Sequence, residues 1–383
     1  MRICIVTHKL QKGDGQGRVN YEVACEALRA GHQLVLVASA VDDELANNPN
    51  VQVSSIKVNG WPTELVRNII FSSISTRWLR KNCSRFDILL INGAITRFPA
   101  DFNAVHFVHS SWLRSPVHTF RESITLYGFY QWFYTWVNGI FEKKAFQKSK
   151  LMIAVSNQVA KELETAGVSA HSIATITNGV DLEEFSPGNI QRQCLDIPER
   201  VPLALFVGDI RTSRKNLDLV LSALVDVPDL HVAIAGSTEN SPYPEMAKSL
   251  KVEGRTHFLG YRKDISTLMK AADFLIYPSH YDPFGLVVLE AMASGLAVVT
   301  ARSAGASELV TPDIGFVLRD SNDRDALVDA MRALSSDSNL RSQMGAGARK
   351  VAQSLSWQSM AREYVRLFED FYSKQSTYEE AIR

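Results

Sequence analysis

Two carboxylates, Asp282 and Glu290, stand eight positions apart in the stretch HYDPFGLVVLEAMASG at residues 280–295. Pro283 and Gly285 interrupt the chain after an apolar run, so we expect a strand to end before Asp282 and a helix to begin near Gly285. With about 3.6 residues per turn, Glu290 then lies one to two turns into the helix. The spacing also fits an ordinary strand, turn and helix with Glu290 on a solvated face.

The start of this predicted helix is suited to binding an anion. Its first amides, at Phe284, Gly285 and Leu286, have no partners inside the helix and carry partial positive charge. A phosphate group fits such a position. The stretch therefore predicts a phosphate site with a carboxylate on either side of it.

A cationic loop at residues 208–216 follows the apolar run 203–207 and contains Arg211, Arg214 and Lys215. Ligands of open α/β sheets bind at the carboxyl ends of strands, where this loop is expected to lie. The loop is the second candidate for a phosphate-binding element. The alternative interpretation is a solvated cationic turn.

A glycine-rich loop at residues 8–18 follows the first predicted strand, residues 2–6, and opens a helix that runs to about residue 30. Gly15 and Gly17 would let backbone amides approach a ligand closely, and the helix start adds its dipole. A strand-to-helix loop with glycines is a weak motif, and a tight turn without a ligand explains it equally well.

Composition limits the class of protein. The 383 residues are 46% hydrophobic, which is enough for two cores, so two α/β domains are the expectation. The 41 lysines and arginines balance 41 aspartates and glutamates, which argues against a nucleic-acid binder. The four scattered cysteines, the strand-like start without a signal-peptide pattern and the lack of a run long enough to span a membrane predict a cytoplasmic protein.

The run from Asp282 to Glu290 resembles the motif of retaining nucleotide-sugar glycosyltransferases of family 4, also called glycosyl transferases group 1. In that family an acidic residue precedes Gly-Leu, and a Glu follows eight positions after the acid. Here the first acid is Asp282 where the family usually has Glu, which shortens its reach by one methylene. Weaker similarity extends in order over nearly the whole chain, including Asn-Gly-Val-Asp at residues 178–181.

The resemblance implies the GT-B fold, an α/β architecture of two Rossmann-like domains that face each other across a cleft. Residues 1–187 would form the acceptor-side domain and residues 188–356 the nucleotide-sugar-binding domain. The segment 357–383 would be a helix that crosses back to the first domain. The breaker-rich stretch after Ser186 supplies the predicted linker.

The resemblance also assigns roles to individual residues. Lys215 and either Arg211 or Arg214 would grip the donor's diphosphate. Glu290 would accept the ribose hydroxyls, and Asp282 with His109 would hold the sugar. The remaining candidates for donor binding are Gly15, Gly17, Tyr261, Arg262, Phe284, Gly285 and Leu286.

His109 lies in the run of residues 105–112, which is predicted to be a strand that leads into a loop. Side chains alternate between the two faces of a strand, and this separates His106 from His109. A histidine after a strand is commonly structural. Only the resemblance favours His109 as a ligand of the sugar, and the alternation favours a position for His106 away from the site.

The resemblance implies transfer of a hexose with retention of anomeric configuration and without a bound metal or cofactor. The sequence agrees, because no Asp-x-Asp pair lies beside the predicted donor site. UDP-glucose is the favoured donor and a GDP-sugar the second choice, because residues 282–285 and 305–309 resemble transferases that build lipopolysaccharide cores. The acceptor would be a glycan, a glycolipid or a small molecule. The alternatives are a nucleotide-sugar epimerase or hydrolase, or a non-catalytic nucleotide-sugar-binding module.

A strongly aromatic helix is predicted at residues 127–146, within a basic part of the chain. Residues 57–150 contain thirteen lysines and arginines against five aspartates and glutamates, an excess of eight positive charges. A buried helix with a solvated basic face is the simpler interpretation. The alternative is peripheral contact with the inner face of an anionic membrane. The sequence leaves the oligomeric state open.

Overall fold

The computed structural model describes the backbone of residues 1–13, 15–122, 124–195 and 197–382, and the side chains of this part except at 122, 194 and 375–382. One of the scattered cysteines, Cys194, therefore falls outside the described side chains. The chain divides into two compact units, Met1–Gly179 with Trp357–Arg383, and Val180–Ser356.

The first unit has a parallel sheet with the strand order β3-β2-β1-β4-β5-β6-β7. Its described strands are β1 (Arg2–Leu10), β2 (Gln33–Val41), β3 (Val51–Ser55), β4 (Ile88–Asn92), β5 (Ala100–Val105), β6 (Ser149–Ala154) and β7 (Ile173–Thr175). The central strands are almost continuously apolar because both faces of a parallel sheet are covered by helices. The strand order reverses between β1 and β4, which makes the carboxyl ends of these two strands the expected ligand position.

The helices of this unit that precede residue 180 have lengths of four to 21 residues, and the longest of them is the aromatic helix. They are α1 (Gly15–Arg29), α2 (Asp43–Ala46), α3 (Glu64–Asn82), α4 (His109–Arg114), α5 (Thr119–Glu122), α6 (Leu126–Phe146) and α7 (Asn157–Thr165). Helix α3 begins after Thr63, whose hydroxyl accepts a hydrogen bond from the amide of Val66.

The second unit has a six-stranded parallel sheet with the order β10-β9-β8-β11-β12-β13 in the described residues. Its strands are β8 (Leu203–Val207), β9 (His231–Ala235), β10 (Thr256–Phe258), β11 (Phe274–Tyr277), β12 (Ala297–Ala301) and β13 (Gly315–Leu318). Its helices are α8 (Leu217–Leu224), α9 (Tyr243–Ser249), α10 (Ile265–Ala271), α11 (Leu286–Ala293), α12 (Arg324–Ser336) and α13 (Ser338–Ala352). The order reverses between β8 and β11, the strands that precede the cationic loop and the Asp282 loop.

The last helix, α14 (Trp357–Ile382), packs on the first unit, as the predicted fold requires. Tyr364 and Phe368 are fully buried, and the Phe368 ring lies 4.8 Å from the ring of Phe102 in β5. Each buried aromatic side chain contributes about 2–3 kcal/mol of hydrophobic stabilisation. The helix is therefore an integral part of the first unit.

Two segments differ from their predicted positions. The first is Val180 to Pro187, assigned from the sequence to the first domain, which lies in the second unit. Its backbone is held there by the Val180 amide, which donates to Leu355 O at 2.9 Å, and by the Arg349 guanidinium, which donates to Phe185 O at 2.9 Å.

The second is the strand predicted at residues 105–112. The strand β5 ends at Val105, and His109 begins the short helix α4. The argument that alternation separates His106 from His109 therefore does not apply, because both residues lie beyond the strand. None of the described helices is both long and apolar enough to cross a membrane.

Candidate functional site

In the second unit, Lys215 and Asp282 meet at the carboxyl edge of the sheet, where the strand order reverses. Lys215 is only 7% exposed, and its Nζ donates hydrogen bonds to Asp282 Oδ2 and to the hydroxyl of Tyr277. Tyr277 Oη in turn donates to Asp282 Oδ2 at 2.5 Å. The predicted cationic loop and the predicted acidic loop thus form one buried polar cluster.

The backbone around Lys215 fixes the position of its side chain. The residue ends a 3₁₀ turn and is followed by Asn216 in the left-handed conformation, with φ 63°. Asn216 Nδ2 donates to Pro278 O at 3.0 Å, which ties the cationic loop to the end of β11. Gly208 leaves room for the lysine, since a Cβ at this position would lie 3.0 Å from Lys215 Cγ.

Charges in the cluster compensate one another. Burial lowers the pKa of Lys215, and the Asp282 carboxylate opposes that change. For Asp282, burial would raise the pKa, but the Lys215 ammonium and the hydrogen bonds it receives hold the pKa below its usual range. Each side chain thus opposes the effect of burial on the other, since Asp282 raises the pKa of Lys215 and Lys215 lowers the pKa of Asp282. Asp282 also accepts from the Phe284 amide at 3.2 Å, so protein donors surround its carboxylate.

The two arginines of the loop have different surroundings. Arg211 donates to both carboxylate oxygens of Asp209, each at 2.8 Å, on the exposed side of the loop. The positive charge of Arg214 lowers the pKa of both Lys215 and Asp282. Both arginines stay candidates for the second cation beside Lys215.

Gly285 begins helix α11 beside the same cluster. Its φ of +88° is readily adopted only by glycine, and a Cβ there would lie 3.3 Å from the Tyr277 ring and 3.7 Å from the Asp282 carboxyl carbon. The helix proper starts at Leu286 and runs for eight residues. Its amino end therefore opens directly next to Asp282.

Glu290 lies one turn along α11 from Leu286 and is partly buried. Burial, with a smaller contribution from the carboxylate of Glu184, raises the pKa of Glu290 to about 7. A carboxylate with this pKa changes its charge near neutral pH. It would be stabilised in the ionised form by hydroxyl donors of a ligand.

A cavity of about 360 Å³ adjoins the cationic loop at the carboxyl ends of β8 and β9. Gly208, Asp209, Arg211, Tyr261 and Arg262 are among its lining residues. The Tyr261 side chain is 75% exposed, and Arg262 is held by two hydrogen bonds to Asp264, at 2.8 and 2.6 Å. The cavity has the position and size for a nucleoside next to the Lys215 cluster.

The first unit has its own cavity, of about 290 Å³, where the strand order reverses between β1 and β4. Its polar lining residues are His8, Gln16, Glu64, Asn68, Asn92, His106, His109, Tyr134, Asn138 and Glu142. Asn92 is 5% exposed, and both polar atoms of its side chain have no hydrogen-bond partner among the described residues. A buried polar group without a hydrogen-bond partner lowers the stability of the fold by about 1–3 kcal/mol, and a hydrogen bond to a ligand would recover this free energy.

His109 is held from one side by Glu142 of helix α6. The His109 amide donates to Glu142 Oε2 at 2.8 Å, and His109 Nδ1 lies 2.6 Å from Glu142 Oε1. An ionised carboxylate only accepts hydrogen bonds, so Nδ1 carries the proton and Nε2 is left for another group. His106 lines the same cavity as His109, contrary to the expectation from strand alternation.

The predicted glycine loop lies at this cavity too, although strand β1 extends further than predicted and includes His8. Gly15 and the buried Gly17 belong to the first turn of α1, and Gln16 between them lines the cavity. The Gln11 amide donates to Gly17 O at 3.3 Å and closes the loop.

Two family models match the chain in succession. Residues 13–184 match "Glycosyltransferase Family 4" and residues 189–351 match "Glycosyl transferases group 1". The chain belongs to these glycosyltransferases. The two matched segments correspond to the two units, and the resemblance seen in the acidic motif extends over both.

A curated relative and two solved structures of glycosyltransferases illustrate the similarity. A D-inositol 3-phosphate glycosyltransferase of Corynebacterium diphtheriae is 31% identical over 217 residues, which is 52% of this chain and 51% of the relative. The chain thus spans about half the length of the curated relatives it matches.

The solved structures share the fold. WaaG, a glycosyltransferase involved in lipopolysaccharide biosynthesis, superposes with a TM-score of 0.74 at 20% identity, over 95% of this chain and 99% of its own. Anabaena HepE in complex with UDP-glucose superposes with a TM-score of 0.70 at 19% identity, over 97% of this chain and all of its own. The architecture is therefore the GT-B fold, as predicted.

Glu142, which lines the cavity of the first unit, and Tyr277, which contacts Lys215 and Asp282, were not among the candidates predicted from the sequence. Glu142 stands among aromatic and basic residues of α6, and only its burial at 3% exposure shows that it faces inward. Tyr277 is the last residue of an apolar strand and has the appearance of a core residue. Glu142 follows Asn138 by four positions, so the two polar side chains lie on the same side of α6. This spacing was the feature of the sequence that could have identified Glu142.

Proposed function

We propose that the protein transfers a hexose from a nucleoside diphosphate sugar, with UDP-glucose as the first candidate, to a hydroxyl of a glycan or glycolipid with retention of anomeric configuration. The observation that carries the proposal is the buried cluster of Lys215, Asp282 and Tyr277 at the start of α11. Family membership and the UDP-glucose bound by HepE of the same fold support the choice of donor.

The chemistry follows from where charge develops. When the bond between the anomeric carbon and the diphosphate breaks, negative charge grows on the leaving oxygen. Lys215, the first amides of α11 and an arginine of the cationic loop, for which we propose Arg214, would stabilise that charge. The hydrogen bonds to Asp282 and Tyr277 hold the Lys215 side chain in place while no donor is bound.

We assign no nucleophilic carboxylate to this reaction. Asp282 is surrounded by protein donors, and we propose that Glu290 accepts the ribose hydroxyls, so neither would be available to attack the sugar. In the proposed step the acceptor oxygen bonds to the anomeric carbon on the face that the diphosphate leaves. The acceptor proton passes to the departing phosphate oxygen, and this balances the reaction without a metal ion.

We propose that the cavity of the first unit holds the sugar end of the substrates. Its lining contains no lysine or arginine, whereas Glu64 and Glu142 contribute negative charge. An uncharged polyol fits this lining better than a phosphorylated one. This distinguishes the proposed acceptor from the inositol 3-phosphate named for the curated relatives.

The test is incubation with a panel of nucleotide sugars, with and without neutral and phosphorylated sugar acceptors. We expect nucleotide release only when a neutral acceptor is present, with an α-linked product from an α-linked donor by NMR and unchanged rates in EDTA. Rapid release of nucleotide without acceptor would identify a hydrolase. Conversion of one nucleotide sugar into another would identify an epimerase, and failure to bind any of them in calorimetry would exclude the transferase.

Glu142→Gln is expected to lower kcat by about 10–100-fold while leaving donor affinity within about twofold. The amide can donate as well as accept, so it no longer fixes the proton of His109 on Nδ1. The readout is a fall in kcat with an unchanged Kd for the donor, because the variant changes which nitrogen of His109 carries the proton.

A mutant cycle separates this positioning role from a general loss of structure. In a His109→Asn background, Glu142→Gln should produce little further loss, since its effect passes through the histidine. Additive losses in the double variant would refute the proposed role of Glu142.

A further inference from the structure

Helix α6 has its polar residues inside and its apolar residues outside. Thr135, Asn138 and Glu142 are buried at 2%, 6% and 3% exposure. On the opposite side, the exposed fractions are 56% for Phe129, 41% for Phe133, 43% for Trp136 and 38% for Ile140. A helix in contact with water on that side would have the reverse pattern. The interpretation of the aromatic segment as a buried helix is therefore wrong.

The outer face of α6 is defined here as Phe129, Phe133, Trp136, Ile140, Lys143 and Lys144. From Phe129 to Ile140 successive members are three or four positions apart, and Lys143 and Lys144 lie three and four positions after Ile140, so the set follows one side of the helix. Ile124 and Leu126, just before and at the start of the helix, are 88% and 93% exposed. Seven of the thirteen large apolar side chains that are exposed in the described part of the chain fall within residues 124–140. Four of the seven, Phe129, Phe133, Trp136 and Ile140, follow one another along the outer face of α6 and form an apolar strip, which is typical of an interaction site.

Positive charge lies at one end of this surface. Lys143 and Lys144 continue the outer face of α6, and a cavity of about 320 Å³ beside them is lined by Arg97, Lys144 and Lys148. The Arg97 guanidinium lies over the Phe141 ring at 5.8 Å from its centroid. The surface thus combines an apolar strip with a cavity that is lined by cations. The cavity is large enough to receive the phosphate of a lipid headgroup.

We infer that the outer face of α6 docks on a membrane surface that contains anionic phospholipids. The aromatic and aliphatic side chains would enter the interface between headgroups and acyl chains, and the lysines and Arg97 would pair with lipid phosphates. A second copy of the chain is a poorer occupant. It would bring the same excess of eight positive charges in residues 57–150 to the contact.

The full-length protein is tested by sedimentation with vesicles of phosphatidylcholine alone and of phosphatidylcholine with phosphatidylglycerol. We expect binding to the anionic vesicles and little to the neutral ones. Phe133→Ser with Trp136→Ser should lower the partition coefficient by about tenfold or more, and so should Lys143→Glu with Lys144→Glu. These side chains are exposed, so the variants should retain their folded circular dichroism spectra.

Matched controls change the same residue types elsewhere. Trp61→Ser removes an exposed tryptophan of the first unit, and Lys350→Glu with Arg366→Glu makes the same change in net charge on other helices. Both controls should bind vesicles like the wild type. Equal losses in the controls, or equal binding to neutral vesicles, would overturn the inference.

Two further outcomes would assign the surface to another occupant and overturn the inference. One is displacement from vesicles by millimolar glycerol phosphate, which would indicate a site for a free phosphate. The other is a dimer in analytical ultracentrifugation that disappears in the Phe133→Ser, Trp136→Ser variant. The assay does not depend on sugar transfer, so its result stands whether or not the proposed activity is found.

Discussion

Lys215→Met is expected to lower kcat for sugar transfer by about 10²–10³-fold, because it removes the buried cation nearest to the position proposed for the leaving diphosphate. The ammonium is already held in place by Asp282 and Tyr277, so it needs no rearrangement during the reaction. The measurement is single-turnover transfer from UDP-glucose or the donor found by screening. UDP affinity should fall as well, since the ground state also carries the diphosphate charge.

The single variant leaves the Asp282 carboxylate buried without its cation, which costs about 3–5 kcal/mol of stability. A loss of activity could then reflect unfolding. The double variant Lys215→Met, Asp282→Asn removes both charges and should recover most of the free energy of unfolding, measured in urea, while remaining inactive. Turnover close to the wild-type value in the double variant would refute the catalytic role of Lys215.

The Lys215 cluster was largely predictable from the sequence. Lys215 and Asp282 are 67 positions apart, yet each follows an apolar strand, and the carboxyl ends of neighbouring parallel strands lie together. The acidic motif identified Asp282 as a site residue, and the composition of the loop at residues 208–216 identified Lys215. The pairing of Arg211 with Asp209 was not predictable, because it depends on the conformation of the loop and not on its composition.

The site in the first unit was less predictable. His109 was selected by resemblance, but its partner Glu142 is 33 positions away on a helix whose polarity is reversed. Patterns of hydrophobicity assume that apolar residues face the core, so the many aromatic residues of α6 predicted a buried helix. The strand predicted at residues 105–112 failed for a related reason. An apolar run that passes from a strand into a short helix has no change of composition to mark the boundary.

The same inversion connects the two proposals for the first unit. The buried side of α6 supplies Glu142 and Asn138 to the cavity, and the outer face of α6 presents its aromatic residues and lysines to the surroundings. Because α6 has a polar face toward the cavity and an apolar face toward the surroundings, its sequence has no single amphipathic stripe. An acceptor carried by a membrane lipid would then be presented to the cavity by the same element that binds the lipid surface.

Glu290→Gln is expected to stabilise the protein at pH 8 by about 1–3 kcal/mol while weakening UDP binding by about 100-fold. The pKa of Glu290 is raised to about 7 in the folded protein, whereas an unfolded glutamate has a pKa near 4.3. Between these values the folded state binds more protons than the unfolded state. The contribution of Glu290 to stability is therefore lost as pH rises from about 4.3 through 7, and the glutamine removes that loss.

The opposite effect on binding comes from the ionised carboxylate, which accepts ribose hydroxyls more strongly than a neutral amide does. Wild-type affinity for UDP should therefore rise from pH 5.5 to about 7.5 and level off, while the affinity of the Gln variant stays flat. Calorimetric titrations and urea unfolding at pH 5.5 and pH 8 test both halves together. A variant that is no more stable at pH 8, or that binds UDP like the wild type, would show that Glu290 is not a buried ribose acceptor. Glutamine has nearly the same shape as glutamate, so the change tests the charge itself.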